Sequence, residues 1–157
     1  MKFLAAGVYQ PVAWLTYHQI REQVLTVLPS ARIEHIGSSS IEGAVSKGDL
    51  DVFIGVEKSK FEHAISVLQA LRFTITEDTL RTDELCPFES FDYPLDVGVQ
   101  LVANGSRFEN FLRFRNLINA QPELLEKYNQ LKLDATGLPP QEYRKIKSAF
   151  IEELLAD

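Results

Sequence analysis

The stretch RIEHIGSSSIEGAVSKGDLDVFIGV, residues 32–56, decides how the rest of the chain is read. Arg32, Ile33, Glu34, His35 and Ile36 read as a short alternating strand that stops at Gly37. Residues 49–56 are rich in β-branched side chains and follow Gly48, so they read as a second strand. Residues 38–45 read as a turn or short helix between the two. Side chains alternate along a strand, which puts Asp49 and Asp51 on one face, with Leu50 and Val52 turned into the core. Two carboxylates that close repel, and at least one tends to hold a proton unless a cation bridges them. Mg²⁺ (or Mn²⁺) is the expected resolution, because Mg²⁺ takes oxygen ligands and joins carboxylates to substrate phosphates. Gly37 lets backbone approach a ligand closely, and Ser38, Ser39 and Ser40 offer hydroxyl and N–H groups for the distal phosphates of a triphosphate.

Outward from this centre, the pattern predicts an α/β (α+β) domain. Residues 12–28 place Trp14, Ile20, Val24 and Leu28 at helical spacing, with Pro11 near the helix start. Residues 58–71 read as an amphipathic helix, residues 72–76 as a third strand, and residues 77–90 as an irregular hairpin or loop. Residues 95–102 read as a further strand with Asp96, Gly98 and Gln100 on one face. Three helices follow, the second opening at Pro122 and the third at Pro139-Pro140. With no repeat or long linker, residues 1–157 are expected to form one domain. It divides into a sheet-containing core over 1–105 and a helical lobe over 106–157.

The chain has 157 residues, 45% hydrophobic and 24% charged, which are the proportions of a soluble globular protein. No run approaches the roughly 18 apolar residues that span a bilayer, and no signal peptide is read at the N-terminus. A cytoplasmic location is therefore expected. The single cysteine, Cys86, excludes an internal disulfide and a cysteine zinc cage. Net charge is −6, and residues 1–106 hold eight Lys/Arg against fourteen Asp/Glu, while residues 107–157 hold eight of each. That acidic bias argues against extended nucleic-acid binding. A local acidic cluster can instead concentrate a divalent cation.

A third carboxylate on a neighbouring strand would complete a two-metal arrangement. Asp96 is the candidate, as third ligand or base; Asp92 and Glu89 are weaker ones. Lys47, just before the aspartate strand, is a candidate phosphate ligand, with a plain surface lysine as the alternative. Glu34 and His35 are read as structural or surface residues, and Phe108, Phe111 and Phe114 as core or lobe packing.

Ile36-Gly37-Ser38 followed by Asp49-Leu50-Asp51-Val52 resembles the signature of the DNA polymerase beta-like nucleotidyltransferase superfamily. A closer resemblance, to the GrpB-like family, covers most of the chain. It rests on Tyr9-Gln10-Pro11, on residues 32–40, on Lys47 and on Phe114-Arg115. The tail adds Pro122-Glu123-Leu124, Tyr128, Leu131-Lys132, Tyr143, Lys147 and Phe150-Ile151. Two departures stand out. Family members follow the lysine with Pro-Ile-Ile-Asp, where this chain has Gly48-Asp49-Leu50-Asp51, and they carry a His-x-His on the later strand, where it has Asp96, Gly98 and Gln100.

The resemblance implies a metal-dependent nucleotidyltransferase acting on a nucleoside triphosphate and an acceptor that the sequence does not identify. Asp49, Asp51 and Asp96 would be the catalytic and metal residues. Gly37, Ser38, Ser39, Lys47, Lys132 and Lys147 would hold the nucleotide, although both helix lysines could equally lie with their stems over the core. The alternative expectation is a catalytically silent nucleotide-binding or accessory domain. Fusions of family members to dephospho-CoA kinase would tie such a domain to coenzyme A metabolism.

Overall fold

Alternation along the strands gives the sheet two faces of different character. The structure, a computed structural model, describes residues 2–156. Its strands are β1 (Arg32–Ile36), β2 (Leu50–Val56), β3 (Thr74–Ile75), β4 (Leu85–Ser90) and β5 (Val97–Ala103), in spatial order β1-β2-β5-β4-β3. β2 and β5 run parallel, and every other neighbouring pair is antiparallel. A parallel pair needs a crossover. Here the crossing chain includes α2 (Phe61–Ala70) and the β3–β4 pair.

One face lies under α1 (Ala6–Val27) and α2. Leu50, Val52 and Ile54 of β2 and Val97, Val99 and Leu101 of β5 meet Ala13, Ile20 and Val24 of α1 and Phe61, Ala64 and Leu68 of α2. Because side chains alternate, the same two strands turn Asp51, Phe53, Gly98, Gln100 and Val102 to the opposite face. There Phe53 and Val102 pack with Ile36, Leu85, Phe108 and Leu112. The chain then runs into α3 (Asn110–Ala120), α4 (Pro122–Asp134) and α5 (Pro140–Leu155). A third cluster joins Ile41 and Ala44, between β1 and β2, to Phe114, Ile118 and Tyr128 of these helices. The expected small mixed sheet flanked by helices is the architecture found.

Four local differences have physical causes. α1 begins at Ala6, so Pro11 lies inside it. The missing N–H forfeits one bond near the helix start, and burial of Tyr9 and Ala13 on either side of it holds the turn. Trp14, at helical spacing with the buried Ile20, Val24 and Leu28, is itself 41% exposed. Residues 77–90, read as a loop or irregular hairpin, contain β4, whose signal was hidden by Pro87. That proline is tolerated because β3 pairs only with Phe88 and Glu89, leaving β4 without a full outer ladder at residue 87. β5 begins at Val97, so Asp96 lies just ahead of the strand.

β4 belongs to the core, since Phe88 is 1% exposed within the main cluster. Phe88→Ala should therefore lower stability by roughly 3–5 kcal/mol in urea titrations. A loss below about 1 kcal/mol would place β4 outside the core.

Candidate functional site

The segment between β1 and β2 has almost no strand or helix partners, so its backbone groups must find other ones. Side chains from two helices supply them, and a third helix holds the end of β1. Gln10 Nε2 donates to Ile41 O at 2.7 Å, and Tyr9 OH donates to Ala44 O at 2.9 Å, both from α1. From α4, Asn129 Nδ2 donates to Gly43 O at 3.0 Å, while its Oδ1 accepts the Val45 N–H at 2.9 Å. Lys132 Nζ donates to Val45 O at 2.6 Å. From α3, Arg115 Nη1 donates to His35 O at 3.0 Å and to Glu34 Oε1 at 2.8 Å.

The turn is also held from inside. His35 is buried, stacked on Tyr17 with ring centroids 5.1 Å apart and edge-on to Trp14 at 4.1 Å. Its Nε2 shares a hydrogen bond of 2.7 Å with Ser39 Oγ. Burial first, then the Arg115 and His18 charges, push its pKa to about 3, so the ring stays neutral. Its Nδ1 has no hydrogen-bond partner among the described residues. Ser38 Oγ accepts from Lys132 Nζ and shares a 3.3 Å hydrogen bond with Tyr128 OH.

Asp51 sits in a cradle of glycine. Gly37 follows β1 directly with φ 71°, and a Cβ built there would stand 2.5 Å from Asp51 Oδ2. Gly98 is opposite Asp51 in the β2–β5 register, and a Cβ there would stand 2.9 Å from Oδ1. Backbone thus closes on both carboxylate oxygens, which only residues without side chains allow. Burial and then the Asp49 charge raise the Asp51 pKa to about 6, against Lys147, Lys47 and Lys132, which lower it. Asp49, half-buried, accepts a hydrogen bond from Ser46 Oγ at 3.2 Å.

Two cavities meet at this carboxylate. The first, about 530 Å³, is lined by Gly37, Asp51, Tyr128 and Lys147, with Phe111 and Phe114 on its apolar side. The second, about 580 Å³, is lined by Lys47, Asp49, Asp51 and Asp96 among others. Asp51, Gln100, Phe108 and Phe111 line both. Lys147 is held above the ordinary lysine value, chiefly by Tyr128 and further by Tyr143, Asp51 and Asp49, against its burial.

Gly37, Asp51 and Lys147 come together at the first cavity, and Lys47, Asp49 and Asp96 at the second. Ser38, Ser39 and Lys132 line neither. They are 8%, 1% and 1% exposed, and their polar atoms are spent on internal bonds. Lys132, expected at a phosphate, packs over the Tyr128 ring 4.1 Å from its centroid. Asp96, expected as third metal ligand, is exposed ahead of β5, and its backbone oxygen accepts the Leu50 N–H at 2.9 Å. Among the described residues, no group of three or more His, Cys, Asp or Glu is arranged to hold a metal ion. The physical reason is register, because the residue opposite Asp51 is Gly98. Asp49 and Asp51 alone fit one Mg²⁺ shared with substrate phosphates: two oxygen donors two residues apart, Asp51 on β2 and Asp49 just ahead of it, the former a carboxyl that burial makes reluctant to ionise alone.

Tyr128, Gln100 and Arg107 also line the first cavity. The sequence carried no local signal for Tyr128 or Arg107 as site residues. For Gly98 there was one, a glycine inside a strand pattern, which marks close backbone approach.

A family model described as GrpB protein matches residues 9–157. A UPF0157 protein of Vibrio cholerae serotype O1 is 47% identical over 155 residues, spanning 99% of this chain and 82% of the relative. A crystal structure of the conserved protein GrpB from Enterococcus faecalis superposes with TM-score 0.72 at 17% identity, covering 98% of this chain and 99% of that one. Cid1, described for its RNA terminal uridylyl transferase activity, superposes with TM-score 0.52 at 13% identity. That match covers 79% of this chain and 38% of Cid1. These structural likenesses are likenesses of fold.

Lys132 gives the site a pH signature. Burial, then the Lys147 charge, lower its pKa from 10.5 to about 6. Above about pH 6 the folded state has released this proton while the unfolded chain keeps it, so stability rises with pH toward the unfolded value. Urea titrations between pH 6.5 and 9.5 should show a slope of up to about 1.4 kcal/mol per pH unit. Lys132→Met should flatten it. An unchanged slope in that variant would mean Lys132 is charged in the folded protein.

Proposed function

The chain belongs to the GrpB family, and from that premise we propose that it transfers a nucleoside monophosphate from a nucleoside triphosphate to a hydroxyl-bearing acceptor. The observation that carries the reading is the wall at Asp51. The Gly37 turn, Asp51 of β2 and Lys147 converge there on a cavity of nucleotide size, with Asp49, just ahead of β2, on the adjoining second cavity. The polymerase-type fold likeness agrees with it.

In this reaction the acceptor oxygen bonds to the α-phosphorus, the bond from that phosphorus to pyrophosphate breaks, and pyrophosphate leaves. Such in-line displacement depends on positioning and charge neutralisation rather than on covalent catalysis. The Gly37 turn, fixed by side chains from α1 and α4 with Arg115 of α3 holding the strand end before it, gives a rigid floor for the phosphates. Lys147, firmly protonated, offsets their charge. Asp49, on the second cavity, is placed to take the acceptor's proton. Mg²⁺ held by Asp49, Asp51 and phosphate oxygens would supply Lewis-acid stabilisation of the phosphoryl group. A second reading, nucleotide binding without turnover, is favoured by one observation: among the described residues no group of three carboxylates is arranged to hold a metal ion.

The test is a thermal-shift panel of nucleoside triphosphates with Mg²⁺, followed by a pyrophosphate-release assay with candidate acceptors. The expected result is stabilisation of several degrees by at least one Mg²⁺–triphosphate at saturating ligand, and release that falls at least about 100-fold in Asp51→Asn with its fold intact. Stabilisation without release would select the second reading. No stabilisation by any triphosphate would reject both.

A further inference from the structure

The second cavity has a chemistry of its own. Asp49, Glu89 and Asp96 line it together with Asp51, against two cations, Lys47 and Arg144. Glu89 and Asp96 make no ion pair within 4.0 Å among the described residues. Two large apolar side chains stand at its open edge, Phe91 at 68% and Leu80 at 57% exposure, and both line the cavity. With Asp49 and Asp51 given to the metal, an occupant still meets the unpaired carboxylates of Glu89 and Asp96, an apolar rim, and the wall at Asp51 shared with the first cavity.

We propose that this cavity binds the acceptor, and that the acceptor is a small amino alcohol: a molecule with a hydroxyl, a protonated amine and an apolar skeleton. The assignment rests on the nucleotidyl-transfer reading and names its second substrate. Three observations support the class. The volume, about 580 Å³, suits a small molecule and leaves no room for a polymer inside it. Glu89 and Asp96, which the metal does not use and which make no ion pair within 4.0 Å among the described residues, attract an ammonium and repel a phosphodiester, so a nucleic-acid acceptor is disfavoured. Phe91 and Leu80 have no core role that would explain them, whereas an apolar skeleton laid across the rim would cover them. A hydroxyl reaching past Asp49 to Asp51 then lies at the boundary with the first cavity, where its oxygen can meet the α-phosphorus.

Three probes share a phenyl ring and a hydroxyl and differ in charge: phenylalaninol is a cation, phenylpropanol is neutral and phenyllactate is an anion. Ligand-observed NMR titrations of the intact protein with each probe, with and without MgATP, read the site directly. Phenylalaninol should bind at least about tenfold more tightly than phenylpropanol, with phenyllactate weakest. Thr79→Arg, an exposed substitution on the cavity rim, should erase that order by adding a cation. Phe91→Ala should weaken all the probes alike, and MgATP affinity should be the same in both variants. Equal binding of the three probes, or an order that survives Thr79→Arg, would overturn the acceptor assignment while MgATP binding left the nucleotide reading intact. Absence of binding by MgATP and every other triphosphate would instead overturn the nucleotide reading and the acceptor role with it.

Discussion

The structure depends on satisfying the backbone of one irregular, largely buried segment. Residues 37–46 run between an antiparallel pair of strands without pairing to either, and carbonyls left bare there would each lose a hydrogen bond in a place water reaches poorly. Tyr9 and Gln10 reach in from α1, while Asn129 and Lys132 reach in from α4. Beside them, Arg115 of α3 fixes the end of β1 through the His35 carbonyl. The same bonds that satisfy the turn fasten the N-terminal helix and two of the last three helices to the sheet. Tyr9, Gln10, Arg115 and Lys132, positions of the family resemblance far apart in the chain, thus share one structural reason, since they converge on this loop and the strand end before it.

That economy explains why two lysines of one lobe take opposite roles. Lys132 is fully enclosed, donates to Ser38 Oγ and Val45 O, and is pushed toward neutrality by burial. It behaves as a hydrogen-bonding strut under the turn. Lys147 lies in the cavity beside Tyr128, with Asp51 across from it, and is driven the other way. Only the second offers a charge to a ligand. From the sequence both were lysines beside apolar helical stripes, and no local pattern separates a strut from a ligand when the deciding partners lie 87 and 94 residues away.

The strands that frame the site were legible because their evidence is local. Alternation marked β1 to the residue, and β-branched content marked β2 to within one. β4 was missed because Pro87 and the neighbouring charges contradict a strand locally, while its stability comes from pairing with β5, which single-sequence patterning does not register. The same limit governed Asp96. Period two does place it on the face of Gly98 and Gln100, but pattern alone could not tell that β5 begins one residue later, nor which residue of β5 falls opposite Asp51. Gly37 and Asp51 were readable as chemistry. Their intimacy, a carboxylate oxygen where a Cβ of residue 37 would be, was a tertiary fact.

The glycine at residue 98 has a consequence for how the carboxylate pair can work. A side chain opposite Asp51 would collide with Oδ1, so the cradle and a third carboxylate at that register position exclude one another. The chain has the cradle. Asp51 is therefore hemmed by backbone on two sides and perturbed chiefly by burial, and the cations that lower its pKa, Lys147, Lys47 and Lys132, come from α5, from the loop before β2 and from α4. Of these, Lys132 is itself pushed toward neutrality, which leaves Lys47 and Lys147 as the charges; Lys147 sits on α5, which packs on the cluster around Ile41 and Tyr128 through Phe150 and Ile151. The electrostatics of the carboxylate pair are thus set by how α5 docks and by the loop that carries Lys47. A sheet of this topology without α5 would keep the two aspartates but lose Lys147, the helix-borne charge that favours their ionisation.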